Sequence, residues 1–276
     1  MNQGAIIDAL DHVVLICSDI EAGVADYSAL FGRAPEPGIQ STGGASVARF
    51  QFQNTALEIM APQGAGPMAD RVNAALKASG PALTSLAFRC DDLMAAHHAL
   101  TRRGLSPGDV SGAEAGRSFR CEDAACAGIK TFVLGGDGGP AARAPHALEV
   151  AQLDHLVIAT PNPDRAAAHY GARLGLRLAL DRTAPQWKTR FLFFRVGGLT
   201  LEVIHRIDED TRPEEDDRIW GLGWKTGDLA ASHARLTANG VDVSPIREGR
   251  KPGTEVFTVR SSTLGIPTLF IGQSPG

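Results

Sequence analysis

The sequence predicts an α+β fold built from four β-α-β-β-β modules, arranged as two tandem halves. The first observation behind this prediction is a stretch that occurs twice, at Leu10–Ile16 and at Leu153–Ala159, and opens each time with Leu-Asp-His. Both copies continue as apolar runs of strand length, which is typical of a buried β-strand. Because side chains alternate along a strand, His12 and His155 are expected on the face that carries apolar neighbours.

The constant spacing of equivalent residues is the second observation. Tyr27 and Gly32 recur as Tyr170 and Gly175, and each pair is 143 positions apart, as are the two histidines. A fixed offset at three landmarks indicates an internal repeat.

A helix is predicted after the first strand of each module. In the first module the apolar spacing predicts a helix that starts after Ser18 or Asp19 and stops at Gly32. In the third module Asn162 is the expected N-cap, and Pro163 suits the first helical position because that position needs no N–H donor. The expected N-caps of the second and fourth modules are Asp92 and Asp228.

A hairpin follows the helix in the first and third modules. Gly197-Gly198 separates two β-rich runs, which is a hairpin signal, and Gln53-Asn54 lies at the equivalent place. The second strand of each hairpin carries a glutamate, Glu58 or Glu202, among apolar residues. A buried carboxylate is costly unless it meets a cation, a histidine or a metal. The hairpin strands are predicted at 46–52, 56–60, 190–196 and 200–204.

The same pattern sets the predicted module and domain boundaries. The modules are expected at 8–60, 84–138, 151–205 and 220–272, so residues 1–138 form a first domain and residues 151–276 a second. Residues 139–150 are the predicted linker, since the chain is rich in glycine, proline and alanine there.

Composition excludes several classes of protein. The chain has 276 residues, 43% of them hydrophobic, and a formal net charge of -4, so no basic field favours nucleic acid or an anionic membrane. No run approaches the ~20 apolar residues of a membrane span. The first strand leaves no room for a signal peptide, and four scattered cysteines suit a reducing compartment, so a cytoplasmic location is expected. A homodimer is compatible with these features.

The repeated modules, with Leu-Asp-His opening and Leu-Glu closing alternate ones, resemble the vicinal oxygen chelate superfamily, which includes glyoxalase I, extradiol dioxygenases and bleomycin-resistance proteins. The segment Trp220–Leu229 resembles the glyoxalase-like branch in particular. The resemblance implies two tandem glyoxalase-like domains and a divalent metal, Zn, Mn, Fe or Ni, or no metal at all. The metal ligands that it implies are His12, Glu58, His155 and Glu202.

The sequence departs from the superfamily pattern at the other ligand positions. These positions hold Ser85 and Phe132 in one half, and Gly221 and Leu269 in the other, and none of the four can replace histidine or glutamate. Each half therefore lacks the 2-His-1-carboxylate triad of an extradiol dioxygenase. Either the four remaining ligands converge on one ion, or metal binding is weak or missing.

Aromatic and cationic residues of the C-terminal half predict the substrate-binding wall. Trp187, Arg190 and Trp224 suit a flat, oxygenated or carboxylated molecule. Core packing explains Trp224 about equally well. The first 186 residues contain no tryptophan, so the C-terminal half is the favoured site.

Three functions are compatible with these residues. The resemblance implies metal-assisted lyase or isomerase chemistry on a small oxygenated substrate, with Glu202 or Glu58 as the catalytic base. The alternatives are a ring-cleaving, dioxygenase-like enzyme with a non-standard site and a metal-free binding protein of the bleomycin-resistance type. In the structural alternative, each glutamate simply forms a hydrogen bond with the histidine of its own half.

Overall fold

The computed structural model describes residues 6–112, 116–136, 144–146 and 148–274. Each module contains one helix after its first strand, and one further helix follows the first module. The strands are β1 (Ala9–Ile16), β2 (Gln40–Thr42), β3 (Ala45–Gln51), β4 (Ala56–Pro62), β5 (Ala82–Cys90), β6 (Ser118–Arg120), β7 (Lys130–Gly135), β8 (Val150–Ala159), β9 (Arg177–Ala184), β10 (Thr189–Val196), β11 (Leu199–Arg206), β12 (Arg218–Thr226), β13 (Arg247–Glu248), β14 (Thr254–Val259) and β15 (Thr268–Gln273). The helices are α1 (Ile20–Phe31), α2 (Pro67–Ser79), α3 (Leu93–Arg102), α4 (Pro163–Ala166) with its π-helical continuation Ala167–Arg173, and α5 (Leu229–Ala238).

The strands form two sheets, one from each half of the sequence. The first sheet has seven strands in the order β2-β3-β4-β1-β5-β7-β6. The second has eight strands in the order β13-β14-β15-β12-β8-β11-β10-β9. The repeated strands β1 and β8 thus occupy equivalent central places, beside β4 and β11 respectively. This arrangement confirms the predicted α+β fold of repeated modules.

The helix ends follow the predicted capping residues. The Asp19 carboxylate accepts hydrogen bonds from the backbone N–H groups of Glu21 and Ala22, at 2.9 and 3.1 Å. Gly32 closes α1 with a φ of 73°, a left-handed conformation that costs glycine little because it has no Cβ. Asn162 caps α4 in the same way, by accepting from the N–H of Arg165.

Packing divides the described residues into two compact units. One contains the described parts of Met1–Val13, Thr84–Pro140 and His155–Trp220, and the other those of Val14–Leu83, Ala141–Asp154 and Gly221–Gly276. Each unit therefore combines residues from both halves of the sequence. The domain boundaries predicted from chain order stay a prediction. Of the predicted linker 139–150, residues 139–143 and 147 lie outside the described residues, and β8 already begins at Val150.

An aromatic cluster forms the core of the second unit. The ring of Phe31 lies 4.8 Å from that of Phe52 and 4.7 Å from that of Trp224, in edge-to-face geometry. The Tyr27 hydroxyl donates a hydrogen bond to the backbone carbonyl of Thr263 at 3.1 Å. A buried hydroxyl needs such a partner, so this bond fixes α1 against the loop before β15.

Helix α2 lies between the predicted modules 8–60 and 84–138, where no helix was predicted. The Val72 side chain of α2 packs with Val14 and Ile16. These contacts lie on the face of the first sheet opposite α1. Met60 of β4 packs against the same cluster. Helix α2 therefore covers this face of the first sheet at β1 and β4.

Two further features concern the cysteines and the lengths of the helices. The cysteines Cys17, Cys90, Cys121 and Cys126 are all free and buried. Among the described residues, no helix is both long enough and apolar enough to cross a membrane.

Candidate functional site

The candidate site lies on one face of the second sheet, which we call the inner face and define by Val157, Glu202 and Phe193. These three residues are direct neighbours on β8, β11 and β10. His155 is two residues before Val157 and is the neighbour of Thr200, so it lies on the same face, one row away. The structure therefore brings the predicted residues His155 and Glu202 to adjacent rows of adjacent strands.

The inner face is apolar around this pair. Val157, Phe191 and Ile204 are buried and pack together with Ala184, while Phe193 is partly buried against the same cluster. The opposite face of β10 is the helical side, because Phe194 packs on Tyr170 of the π-helical segment with ring centroids 5.8 Å apart. The helix of this module therefore packs on the opposite face and does not cover the inner face.

Large apolar side chains remain exposed at the border of the inner face. A 3₁₀ turn at Pro185–Trp187 brings the Trp187 ring to 6.1 Å from Phe191, and 39% of Trp187 stays exposed. Leu180, the β9 neighbour of Phe193, is 44% exposed. Exposed apolar groups that border a polar pair are typical of a surface that contacts a ligand or a partner.

The equivalent face of the first sheet carries different groups. Glu58 forms an ion pair with Arg49, its direct neighbour on β3, with Nη1 and Oε1 2.8 Å apart. His12 lies 2.7 Å from the Asp11 carboxylate through its Nδ1 atom. Part of this face is covered by α2, as described above. Of the partners expected for Glu58, a cation, a histidine or a metal, the structure places a cation, Arg49, beside it.

Two differences at equivalent positions therefore separate the two sheets. In the second sheet Phe193 lies opposite Glu202, whereas in the first sheet Arg49 lies opposite Glu58. The connection between β11 and β12, all of which is described, contains no helix, whereas α2 occupies the equivalent connection between β4 and β5. The second sheet therefore presents an apolar inner face with His155 and Glu202 on it.

Comparison with known proteins agrees with this repeat. A family model described as "Glyoxalase-like domain" matches residues 10–151, just over half of the chain. A model of the "Glyoxalase/Bleomycin resistance protein/Dioxygenase superfamily" matches residues 154–258. The chain belongs to this superfamily. Its two matches fall on the two sheets and confirm two tandem glyoxalase-like domains. No curated protein matches the chain.

Solved structures of the superfamily share the fold along almost the whole chain. A 4-hydroxymandelate synthase mutant from Streptomyces coelicolor is 14% identical, with a TM-score of 0.72, and the match covers 98% of this chain and 94% of that one. The Mn(II)-bound glyoxalase from Novosphingobium aromaticivorans is 13% identical, with a TM-score of 0.66 and coverage of 96% and 82%. A homoprotocatechuate 2,3-dioxygenase variant from B. fuscum is 14% identical, with a TM-score of 0.65 and coverage of 97% and 72%. At these identities the similarity shows the fold alone.

The residues of this superfamily member do not fit a three-ligand metal centre. Among the described residues, no group of three or more histidine, cysteine, aspartate or glutamate side chains could hold one ion. The alternative in which His12, Glu58, His155 and Glu202 converge on one ion therefore has no support among the described residues, and Arg49 already neutralises Glu58. His155 and Glu202 give two donors, whereas catalytic zinc sites use three protein ligands.

Two of the predicted substrate-binding residues lie away from the inner face. Trp224 is 1% exposed and packs in the aromatic core of the second unit, so it is a core residue. Arg190 alternates with Phe191 along β10 and faces the other side, where it pairs with Asp181 and Asp164, both at 2.8 Å. Of the predicted wall, Trp187 alone lies beside the candidate site.

The apolar part of the site was not predicted from the sequence. Phe191 and Phe193 share a face with Arg195 because they alternate along β10, and the Gly197-Gly198 turn fixes the register with β11. That signal is present in the sequence. Leu180 could not be assigned in the same way, since a bulge between Phe193 and Phe194 shifts the register of β9.

Proposed function

We propose that this protein binds a small molecule with a flat, apolar body on the inner face of the second sheet, without a metal held by three side chains. The observation that carries the proposal is the exposed apolar border formed by Leu180 and Trp187 beside Phe193, on the face that holds His155 and Glu202. Small-molecule sites are mostly apolar, with a few polar groups that fix the orientation of the ligand.

The contrast between the two sheets supports this assignment. In the first sheet an ion pair and a helix occupy the equivalent place, so a charged pair lies where the second sheet has an aromatic ring. In the second sheet Phe193 offers its ring beside the polar pair. Stacked or edge-to-face aromatic contacts contribute about 0.5–1.5 kcal/mol beyond the buried area, so a flat ring is the body that this face favours.

The test measures binding of an uncharged aromatic probe, 2-naphthamide, by calorimetry. Wild-type protein should bind the probe, and Phe193→Ala should weaken binding about tenfold, because it removes one ring contact with its buried area. The matched control is Phe132→Ala on β7 of the first sheet, which should leave the dissociation constant within about twofold. Equal effects of the two variants, or no binding by wild type, would contradict the proposal.

A second copy of the chain is the other occupant that this surface could take. Sedimentation at the concentration of the binding experiment separates the two cases. A monomer of 29.1 kDa supports the small-molecule assignment. A dimer that Leu180→Lys dissociates would assign the surface to the second copy and would contradict the proposal.

A second candidate function is proton transfer on the bound molecule. The adjacent rows of His155 and Glu202 favour it, because a carboxylate and an imidazole on one face can accept a proton from carbon and donate one to oxygen. This retains the predicted base, Glu202, of a lyase or isomerase. A screen of α-keto hemithioacetals, catechols and acyl-CoA epimers tests it. Turnover that Glu202→Gln abolishes supports this candidate, and turnover that Glu202→Gln leaves unchanged removes it.

A further inference from the structure

A cavity of about 430 Å³ lies beside the hairpin of β10 and β11, within the first unit. Its charged lining residues are Asp8, Arg177 and Arg195, and the hairpin glycines Gly197 and Gly198 form part of its wall. This volume lies within the usual range of small-molecule sites, roughly 300–1,000 Å³. The residues of the candidate site, His155, Glu202 and Phe193, do not line this cavity.

The two arginines are directly opposed. Arg195 of β10 is the register partner of Arg177 of β9, so their side chains leave the sheet on the same face. Like charges opposite one another on a sheet are destabilising, and a guanidinium does not lose its proton in a protein. An anion held between the two side chains offsets this repulsion.

No carboxylate of the described residues pairs with either arginine. The hydrogen bond of Arg195 runs from Nη1 to the Thr200 hydroxyl, at 2.5 Å. The one acidic residue in the cavity wall is Asp8, whose Oδ2 accepts from the backbone N–H of Asp91 at 2.9 Å. Two arginines and one aspartate leave the wall with a single positive charge, which matches a monoanion such as a carboxylate better than a dianionic phosphate.

The arginine pair is placed at one end of the candidate site. Arg195 follows Phe193 by two positions and lies on the same face, about 7 Å further along the strand. Thr200, which accepts the Arg195 hydrogen bond, is also the β11 neighbour of His155. A molecule whose ring lies on Phe193 can therefore extend a carboxylate to Arg195 and Arg177.

We infer that Arg177 and Arg195 form a carboxylate-binding subsite, and that the ligand of this protein is an aromatic or similarly flat carboxylic acid. This inference rests on the proposed function, since it places the ring on Phe193. It assigns the cationic role to a pair of arginines that line a cavity, instead of Arg190, which faces the other side of the sheet and is already paired with two aspartates. Arginine suits the role because its planar fork binds carboxylates in a bidentate manner.

The experiment compares 2-naphthoate with 2-naphthamide, which differ in charge and share the same ring, by calorimetry. Wild type should bind 2-naphthoate at least about tenfold more tightly than 2-naphthamide, because charge-assisted hydrogen bonds are the stronger class. Arg177→Gln/Arg195→Gln should bring the ratio to within about twofold, chiefly by weakening the binding of 2-naphthoate. The matched control is Arg71→Gln/Arg102→Gln, which removes two exposed charges from α2 and α3 and should keep the wild-type ratio.

The outcomes distinguish this inference from the proposed function. A wild type that binds neither probe contradicts the proposed function. Equal affinity of wild type for both probes, or an unchanged ratio in the double variant, overturns the arginine subsite and leaves the proposed function in place. Tighter binding of 2-naphthyl phosphate than of 2-naphthoate overturns the assignment to a carboxylate. If the double variant is unfolded by circular dichroism, Arg177→Gln alone, at an exposed side chain, should still lower the ratio at least threefold.

Discussion

At the scale of single residues, Arg49 and Phe193 distinguish the two halves of the repeat. Each lies directly opposite a glutamate, at equivalent places in the two sheets. Arg49 forms an ion pair with Glu58, and their side chains are 20% and 18% exposed. Phe193 places a ring beside Glu202. One difference between equivalent positions therefore puts an ion pair on one face and an apolar ring on the other, where we propose that the ligand binds.

The Arg49–Glu58 pair gives the first prediction at this scale. Arg49→Met and Glu58→Gln should each lower the free energy of unfolding by about 1–2 kcal/mol, because each removes the attraction between two opposite charges on mostly buried side chains. The double variant should lose less than the sum of the two single variants, with a coupling of about 1 kcal/mol. Urea denaturation measures all four proteins, and a coupling of zero within error would show that the pair contributes nothing.

His169 gives a prediction about pH. Burial, followed by the charges of Arg173 and Arg165, lowers the pKa of His169 to about 4. The unfolded chain binds a proton near the ordinary value of about 6.5, whereas the folded chain does so only near 4, so stability is full above this interval and falls as the pH drops through it.

The free energy of unfolding should therefore fall by up to about 3 kcal/mol between pH 6.5 and 4, relative to His169→Phe, which cannot titrate. Urea denaturation at several pH values measures the difference between the two proteins, so that the carboxylates common to both cancel. His98→Phe, at an exposed position of α3, is the control. A difference that does not change with pH would contradict a neutral, buried His169.

Sequence alone predicted the residues with a local signal and missed those that depend on register. Asp19, Gly32 and Asn162 were predicted as helix ends because capping depends on a few adjacent residues. The ion pair of Arg49 was missed, since its partner is nine positions away and meets it only through the β3–β4 register. Burial of Trp224 depends on helix and strand residues far along the chain, and no local pattern reports it.

At the scale of elements, α2 is the feature that most distinguishes the first sheet from the second. Its apolar positions Met68, Val72, Ala75 and Leu76 follow the spacing i, i+4, i+7, i+8, with Pro67 at the first turn. This signal for an amphipathic helix is present in the sequence. What the sequence does not report is the surface that the helix covers, which depends on where the chain enters after β4.

The packing of α2 gives a prediction with a matched control. Val72→Ala should lower the free energy of unfolding by about 1–2 kcal/mol, because Val72 is 4% exposed and loses its contacts with Val14 and Ile16. Asn73→Ala, on the exposed side of the same helix, should change stability by less than about 0.5 kcal/mol. Urea denaturation measures both variants. Equal small effects would mean that α2 does not pack on the sheet as described.

At the scale of the whole molecule, the repeat explains why fold and chemistry were predictable to different degrees. The fold follows from equivalent strands at constant offsets, and each of the two sheets confirms one half of the pattern. The chemistry depends on the positions where the halves differ, such as Arg49 and Phe193, and these carry no motif. The metal implied by the superfamily finds two donors on the inner face, His155 and Glu202, instead of three.

The donor count predicts the metal content of the whole protein. Protein purified without chelator should contain well below one equivalent of Zn, Mn, Fe or Ni per chain, and added ions should not raise its melting temperature. Elemental analysis and thermal denaturation measure these quantities, with His155→Ala as the comparison. One equivalent of metal in wild type, lost in His155→Ala, would restore the metal-assisted lyase or isomerase that the superfamily resemblance implies.

The most direct test of the central claim is a crystal structure of the protein with 2-naphthoate. The account predicts the naphthalene ring on Phe193 and Leu180 of the second sheet, with the carboxylate held by Arg195 and Arg177. Electron density for the ring on the first sheet, or on the helical face beside Phe194, would contradict it.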